Sequence, residues 1–550
     1  MGSDLSLLAG SPGSLALLGA AVILLGIILR QVVSYQIPGP PAQSFWSGNL
    51  MQFIARDGEA FQKHVALDYG PISKLNGLFG EPILYVSDPL ALHTMLIKEE
   101  HNFQETDEFL GNHDTTYFGT KTDELLGPHH AKQRKLLNPV FSVNNMRAML
   151  PLFHELGCKF REAIRARVQD GPQELDMLAW LARVALELIG QGALGYSFDP
   201  LVTDRADPYG EALKSLGPEL DSLMILRKVA YLSEPLPRWF RRAFLKLFPP
   251  GTRVHSIVQT LDTLDRSAKD IYAAKKRASK QGDAEMMKQV GQGKDLISIL
   301  LRANAAADPT DRLPDDEVVA QMSLFIMAGL DTTSNALSRI LTLLATHPDH
   351  QQKLRQELLE ARAADGLPYD ELNRLPLLDA VIRETLRMAN KDTVLPLSTP
   401  IRTTDGKFMN AIPIAKGSQF VIGFAGSNMN KAVWGEDALE WKPERWLSLP
   451  ATVTEARIPG VYSTYVVPSI LLTLYRMTFS GGKRACIGFK FSEMEMKVVL
   501  SILLSNFTFE PSGKQIEWNV GVVWYPTVGK ENNNPELPLK VGLYQPLTAH

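Results

Sequence analysis

The chain has 550 residues, of which 45% are hydrophobic and 21% charged, a composition typical of a globular protein with an extensive buried core. Its net charge of −3 gives no indication of a nucleic-acid partner. The two cysteines, Cys158 and Cys486, are too few for a disulfide framework and indicate a domain that faces the cytosol.

The N-terminal segment is predicted to anchor the protein in a membrane. Residues 15–29 contain no charged residue, and with the apolar residues before them they approach the length of a bilayer span. A cleaved signal peptide would carry positive charge before its apolar core, whereas here Asp4 precedes the core and Arg30 follows it. The positive-inside rule then places the rest of the chain on the cytoplasmic side. We therefore predict a single-pass transmembrane helix within residues 1–36.

Residues 37–550 are predicted to form one catalytic domain. The proline-rich stretch 37–41 is a stiff connection from the membrane to this domain. Most of the domain has helical periodicity, while residues 82–87 and 419–422 have the composition of short strands. The predicted fold class is therefore mainly α with small β-sheets, an α+β arrangement.

His129 and His130 are followed by Arg134 in a helical pattern. Neighbouring histidines can indicate a metal site, but no further ligand lies at helical spacing. A histidine pair on the protein surface is the simpler interpretation at this point.

A long helix is predicted to begin in the acidic turn Asp315–Glu317 and to end near Thr346. At 1.5 Å per residue it would extend about 48 Å. In its middle, Gly329 costs about 1 kcal/mol relative to alanine. Ala328 and Thr332 lie on one face at i,i+4 spacing. The small residues predict either a groove for a bound molecule, or a packing bend or close helix crossing, and for this segment taken alone the bend or crossing is favoured.

The sequence around Cys486 contains the strongest functional signal in the chain. Residues 479–488 read Phe-Ser-Gly-Gly-Lys-Arg-Ala-Cys-Ile-Gly. Gly482 permits a turn, and Gly488 permits a flat ligand to approach the backbone. Arg484 and the positive end of the helix predicted to follow both favour a thiolate. A lone cysteine is usually a small buried hydrophobic residue, so the surrounding pattern carries the argument.

Together these motifs resemble the cytochrome P450 family of haem-thiolate monooxygenases, most like its fungal microsomal members. The family's haem-loop pattern is Phe-x-x-Gly-x-Arg-x-Cys-x-Gly. This chain meets its five fixed positions, at Phe479, Gly482, Arg484, Cys486 and Gly488. The resemblance covers nearly the whole chain and implies a P450-like fold, with the long central helix over haem b.

The resemblance also implies roles for individual residues. It makes the Cys486 thiolate the axial ligand of the haem iron. Thr332 hydrogen-bonds the bound dioxygen, and Asp331 helps to relay protons from solvent. Arg134 pairs with the haem propionates, as does His130, which stands where the family often has a tryptophan.

Glu384, Arg387 and Arg445 match a structural network of the same family. Glu384 and Arg387 are three residues apart in a predicted helix, and such a pair is common on solvated helices and indicates little by itself. The resemblance matches them to the family's Glu-x-x-Arg helix, and matches Arg445 to its Pro-Glu-Arg segment. In the family the three side chains form a buried network, for which the planar guanidinium is suited.

The implied activity is that of a membrane-bound monooxygenase in the endoplasmic reticulum, with its catalytic domain facing the cytosol. One atom of O2 enters a lipophilic substrate and the other leaves as water. The electrons come from NADPH through an NADPH–cytochrome P450 reductase. Likeness to fungal members favours a secondary metabolite such as a terpenoid, or an aromatic xenobiotic, as the substrate.

Two segments depart from the family pattern. Residues 388–396 are shortened where the family lines its substrate pocket, and residues 463–477 form an apolar insertion before the haem loop. Our hypothesis is that both are gene-model errors, a missed exon piece and a retained intron, which sequencing of the transcript would test.

Two alternative functions stay open. One is a haem-thiolate isomerase or dehydratase, disfavoured by the presence of Asp331 and Thr332. The other is a P450-like membrane protein without activity, supported only by the two segments.

Overall fold

The computed structural model describes residues 37–99, 102–103, 127–198, 201, 238–282, 285, 290, 292–388, 401–402, 404, 406, 408–409, 419–456, 479, 482, 485–521 and 523–545. The predicted anchor over residues 1–36 lies outside these residues. So do the insertion over residues 463–477 and all of the shortened segment after Met388.

Helices predominate among the described residues. In chain order the α-helices are α1 (Leu50–Phe53), α2 (Glu59–Asp68), α3 (Pro89–His93), α4 (Gly127–Leu137), α5 (Val143–Val168), α6 (Met177–Ile189), α7 (Arg238–Leu245), α8 (Arg253–Gln281), α9 (Leu296–Ala306), α10 (Asp315–Thr346), α11 (Pro348–Glu360), α12 (Tyr369–Leu372), α13 (Pro376–Arg387), α14 (Phe424–Asn428), α15 (Lys431–Trp434), α16 (Ala451–Glu455) and α17 (Phe489–Asn506).

The strands are short and form small sheets. They are β1 (Ile72–Asn76), β2 (Pro82–Val86), β3 (Gln173–Asp176), β4 (Ile401–Arg402), β5 (Phe408–Met409), β6 (Gln419–Ile422), β7 (Phe507–Pro511), β8 (Ile516–Asn519), β9 (Tyr525–Val528) and β10 (Pro538–Leu543). The sheet orders are β1-β2-β6, β3-β10-β7, β4-β5 and β8-β9. The prediction of a mainly α fold with small sheets is confirmed.

Two compact units can be distinguished by their internal contacts. The first consists of the described parts of Met1–Phe103, Arg387–Trp441 and Leu449–Ala485, and the second of the described parts of Gln104–Leu386, Lys442–Ser448 and Cys486–His550.

The first unit is built on the sheet β1-β2-β6. Strand β1 pairs with β2 antiparallel, and β2 pairs with β6 parallel, so both predicted strands are present and adjacent. Because side chains alternate across a strand, Leu84 and Val86 pack with Ile37 on one face. Ile83 and Tyr85 pack with helical residues on the other. The alternation buries both faces of this sheet.

In the second unit, helix α10 spans Asp315–Thr346, the range that the sequence predicts. Its first turn carries the acids Asp315, Asp316 and Glu317, which complement the positive end of the helix. Two residues after its end, Pro348 opens α11. Strong local signals at both ends explain why the boundaries could be predicted.

Helix α6 packs closely against α10 because Gly329 lacks a side chain. A Cβ built on Gly329 would lie 3.0 Å from Cδ1 of Ile189. Within the described residues, Met177–Leu194, which includes α6, is the one helical stretch long and apolar enough to cross a membrane, and 78% of it is buried. Its burial against α10 indicates a core helix.

Candidate active site

Cys486 lies between a glycine turn and the first residues of α17. Gly482 has a φ of +67°, in the left-handed region that favours glycine, and the N–H of Ala485 donates to its carbonyl oxygen at 3.2 Å. Helix α17 begins at Phe489, three residues after the cysteine. The predicted turn and the predicted helix after it are therefore both present.

The electrostatic surroundings of Cys486 suit a metal ligand. Burial raises the pKa of its thiol, while the backbone N–H of Gly488 and the positive charge of Arg134 lower it. The cysteine nevertheless keeps accessible surface. Burial of the thiol and accessible surface on the residue are compatible if protein surrounds the sulfur on most sides and the sulfur faces an enclosed space. A bound metal ion would convert such a thiol to the thiolate.

The middle of α10 offers an accessible face within a mostly buried helix. Ala328 and Thr332 are exposed, whereas Leu330, Thr333 and Ser334 are buried. The Thr332 hydroxyl donates to the carbonyl oxygen of Ala328 at 2.6 Å. Of the alternatives that the sequence left, the close helix crossing is present, since a Cβ on Gly329 would lie 3.0 Å from Ile189, while the groove stays a prediction. The crossing is at Gly329, and the accessible small residues lie beside it.

Direct contacts join α10 to the segment that carries the cysteine. The hydroxyl oxygens of Thr333 and Ser492 are 3.1 Å apart. Phe141 packs edge-to-face on Phe325, with ring centroids 5.4 Å apart. A Cβ built on Gly488 would lie 3.8 Å from the same Phe141 ring. The accessible threonine helix and the cysteine segment therefore belong to one packed assembly.

Helix α4 contains the predicted propionate-binding residues His130 and Arg134, both half-buried. Arg134 is close enough to influence the Cys486 thiol. His129 has a different role, because its Nε2 lies 3.0 Å from the Glu317 carboxylate, to which Gln133 also donates at 3.1 Å. This contact ties α4 to the first turn of α10, so the interpretation of a simple surface pair was wrong for His129. Among the described residues, no group of three His, Cys, Asp or Glu could hold a metal ion.

Glu384 and Arg445 meet in a buried ion pair. Arg445 Nε lies 3.4 Å from Glu384 Oε1, and the two residues are 6% and 0% exposed. The backbone N–H of Lys442 donates to Glu384 at 3.0 Å, and the Trp446 indole at 2.9 Å. Three donors therefore satisfy one buried carboxylate, as such a group requires.

Arg387, one turn after Glu384 on α13, binds backbone carbonyl groups of the first unit. Its guanidinium donates to Asn428, to Ala438 at 2.8 Å and to Glu440 at 3.2 Å. It also lies 5.0 Å over the ring of Trp434. The side chain therefore holds the segment from Asn428 to Glu440 by hydrogen bonds to its backbone, and the structural role that the resemblance implies stays a prediction.

Of the remaining predicted site residues, the structure describes Phe479 and Asp331 but not Arg484. Phe479 is half-buried, and Asp331 is half-buried beside Thr332 on α10. Arg484 lies outside the described residues. Its role as a haem-loop residue stays a prediction.

Glu495 on α17 is a buried acid that the sequence did not reveal. It lies on the helix face of Phe491 and Val498, which packs against Phe153 and Gly157 of α5. Neither carboxyl oxygen has a hydrogen-bond partner among the described residues, and burial raises the pKa of Glu495 well above its ordinary value. Glu493 lies two residues away in the same apolar run, so the local sequence does not show which of the two acids is fully buried.

We expect the substitution Glu495→Gln to change how stability depends on pH. Because the folded-state pKa is raised, the folded protein holds a proton that the unfolded chain releases. Stability is then lost as pH rises above the ordinary glutamate pKa, by about 1.4 kcal/mol per pH unit until the folded-state pKa is reached. Denaturant unfolding of both proteins from pH 5 to 8 should show their difference growing with pH. A difference independent of pH would contradict a neutral Glu495.

The fold, the cysteine segment and the accessible threonine helix define a haem-thiolate enzyme. The sequence pattern of the cytochrome P450 family matches residues 38–524, and the chain belongs to this family. It is 53% identical over 551 residues to cytochrome P450 monooxygenase 81 of Postia placenta, covering 97% of this chain and 98% of that one. It is 44% identical to ganoderic acid synthetase CYP5150L8 of Ganoderma lucidum, covering 96% and 97%.

The comparisons bear out the enzymatic prediction at the level of class. The named relatives are cytochrome P450 monooxygenases, and this chain is a haem-thiolate monooxygenase. The family implies haem iron with a cysteine thiolate ligand, O2, a lipophilic substrate and a redox partner.

Proposed function

We propose that the chain is a membrane-bound monooxygenase that inserts one oxygen atom of O2 into a fungal secondary metabolite, with a terpenoid as the substrate. The observation that carries this proposal is the surrounded but accessible Cys486, packed in one unit with the accessible face at Ala328 and Thr332. Electrons come from NADPH through an NADPH–cytochrome P450 reductase. A helix within residues 1–36 holds the domain of residues 37–550 on the cytosolic side of the endoplasmic reticulum.

The residues present fit a haem group. Cys486 would bind its iron, and Gly488 leaves space near the cysteine, since among the described residues a Cβ there would meet only Phe141, at 3.8 Å. Arg134 and His130 would pair with its propionates. When bound, haem supplies the activation of O2 and the oxidation itself, while the protein orients the substrate and excludes water.

Thr332 and Asp331 would deliver protons to the active site. The Thr332 hydroxyl now donates to Ala328, and rotation about its side-chain bond would release that proton toward the accessible face. Asp331 precedes it on the half-buried side of α10, where a carboxylate can exchange protons with solvent. Their presence disfavours the isomerase and dehydratase alternatives, which need no such delivery.

The terpenoid assignment is supported by one relative's name, ganoderic acid synthetase, because ganoderic acid is a terpenoid. A test uses the full chain with an NADPH-dependent reductase in lipid, a panel of terpenoids and isotopically labelled O2. The proposal expects one labelled oxygen atom in the product, dependent on NADPH. An unlabelled rearranged product would indicate an isomerase, and no product together with no haem would indicate an inactive protein.

The substitution Thr332→Val is expected to reduce product formed per NADPH by about a hundredfold, the usual scale of a positioned proton donor, while NADPH oxidation continues. Thr342→Val is the matched control. Thr342 lies on the same helix and donates to the carbonyl oxygen four residues earlier at 2.8 Å, as Thr332 does. Equal losses in the two variants would show that the effect belongs to the helix and not to the Thr332 hydroxyl.

A further inference from the structure

Asn335 lies one turn after Asp331 on α10 and carries a buried hydrogen-bond acceptor. Its Nδ2 donates to the backbone carbonyl oxygen of Asp331 at 2.9 Å. Its Oδ1 is buried and has no hydrogen-bond partner within the part of the chain that the structure describes. Buried oxygens in native proteins almost always accept a hydrogen bond, either from protein or from an ordered water. We therefore expect Asn335 Oδ1 to bind a water molecule.

The hydrogen bond to Asp331 fixes the direction of this acceptor. The amide group is planar, so once Nδ2 is bound to the Asp331 carbonyl, Oδ1 has a set position on the other side of the group. The opposite assignment would place Oδ1 against that carbonyl oxygen, with no hydrogen between two acceptors. The hydroxyl groups of Ser334 and Ser338 also bond to carbonyl oxygens four residues earlier, both at 2.8 Å. A hydroxyl group then has no second polar atom to offer, whereas Asn335 has one.

Asn335 lies on the accessible face of α10, where the two predicted proton carriers are also found. Thr332 is exposed, and Asp331 and Asn335 are half-buried. One turn after Asn335, the Arg339 guanidinium lies 4.8 Å over the ring of Trp518 on β8. The face is therefore open at Thr332 and covered at Arg339, and Asn335 lies between these two levels.

The helix geometry explains why the two proton carriers need a third group between them. Asp331 and Thr332 are adjacent in the sequence, so they lie about 100° apart around the helix axis and do not face each other. Asn335 is four residues after the first and three after the second, which places it about 40° from Asp331 and about 60° from Thr332. A water on Asn335 Oδ1 is therefore next to both.

We propose that Asn335 is a positioning residue, which holds a water molecule between the Asp331 carboxyl group and the Thr332 hydroxyl. The water donates one hydrogen to Asn335 Oδ1. It accepts a proton from Asp331 and gives its other hydrogen to Thr332 Oγ, while the Thr332 hydroxyl proton passes to the accessible face. Asp331 then regains a proton from solvent, which restores the protein and the water. This inference rests on the proposed function and adds the residue that holds its proton path in place.

A crystal structure of the full chain tests the water directly. An ordered water is expected about 3 Å from Asn335 Oδ1, and Asn335→Leu should lack it. A protein donor on Oδ1, from any part of the chain, overturns the inference, as does the absence of an ordered water there. This measurement does not depend on turnover, so its failure is distinct from a failure of the proposed function.

The yield of product per NADPH and the solvent isotope effect test what the water does. In the reaction with labelled O2, Asn335→Leu should lower product per NADPH about tenfold, less than removal of the proton donor itself. The ratio of the rates in H2O and D2O should rise, because proton delivery then limits the reaction. Asn335→Ser keeps a hydrogen bond to the Asp331 carbonyl of the kind that Ser334 and Ser338 make. It should therefore fold with the wild-type thermal midpoint and show the same two changes.

Asn506→Leu is the matched control. Asn506 is half-buried on α17, and its Nδ2 donates to the carbonyl oxygen four residues earlier at 2.8 Å, as that of Asn335 does. Its substitution should leave product per NADPH and the isotope ratio unchanged. If the wild type forms labelled product and the Asn335 variants match it in both measurements, the inference is wrong and the proposed function stands. Equal changes in the Asn335 and Asn506 variants would also overturn the inference.

Discussion

Replacement of Cys486 by serine is expected to abolish the strongly red-shifted Soret band of the reduced carbon-monoxide complex and to reduce monooxygenase activity to background. The band depends on electron donation from a thiolate, which a serine hydroxyl does not provide. The thiol is surrounded by protein yet accessible, so serine can occupy its place without disturbing the packing. The measurement is a difference spectrum of the purified variant beside the wild type.

The other cysteine provides a matched control. Cys158 is half-buried on α5, where its sulfur lies 3.8 Å from Nδ1 of His154. Cys158→Ser should keep the band and the activity. If the Cys486 variant retained the red-shifted band, or the Cys158 variant lost it, the assignment of the axial ligand would be wrong.

The substitution Glu384→Gln is expected to lower the free energy of unfolding by about 3–5 kcal/mol, the usual result of removing one partner of a buried ion pair. Arg445 is 6% exposed and would lose this carboxylate, and the N–H groups of Lys442 and Trp446 would lose a charged acceptor. The predicted readout is a lower thermal midpoint and a smaller yield of folded, haem-containing protein.

An exposed ion pair provides the comparison for this substitution. Glu174 and Lys514 are 2.6 Å apart, with 43% and 44% of their side chains exposed. Glu174→Gln should cost less than about 1 kcal/mol. If the folded fraction of Glu384→Gln kept wild-type stability, the pair with Arg445 would not be structural. If that fraction were stable but inactive, Glu384 would act in the chemistry and not in the fold.

Much of the site could be predicted because its signals are local. The glycines, the cysteine and the start of α17 lie within about ten residues, and each constrains backbone or charge in a known way. The bounds of α10 follow from acids in its first turn and from Pro348 just beyond its end. The strands β2 and β6 were also predicted, from composition alone.

Contacts between distant residues could not be predicted in the same way. Nothing near His129 indicates that it meets Glu317, 188 positions later. Periodicity places Glu495 on a helix face, but it does not show that this face packs against α5, or that the carboxyl has no hydrogen-bond partner within the part of the chain that the structure describes. An exposed cluster of Phe45, Trp46 and Phe79 likewise joins residues from two segments that have no common pattern.

By itself, the sequence determined the family, the cysteine that would bind haem, the long central helix and the mainly helical class, because each depends on residues close together in the chain. Only the tertiary structure decided which charges are paired, which acid is fully buried and which aromatic rings remain exposed. Those properties depend on how much water each group retains after packing, and packing joins segments that are far apart in the sequence.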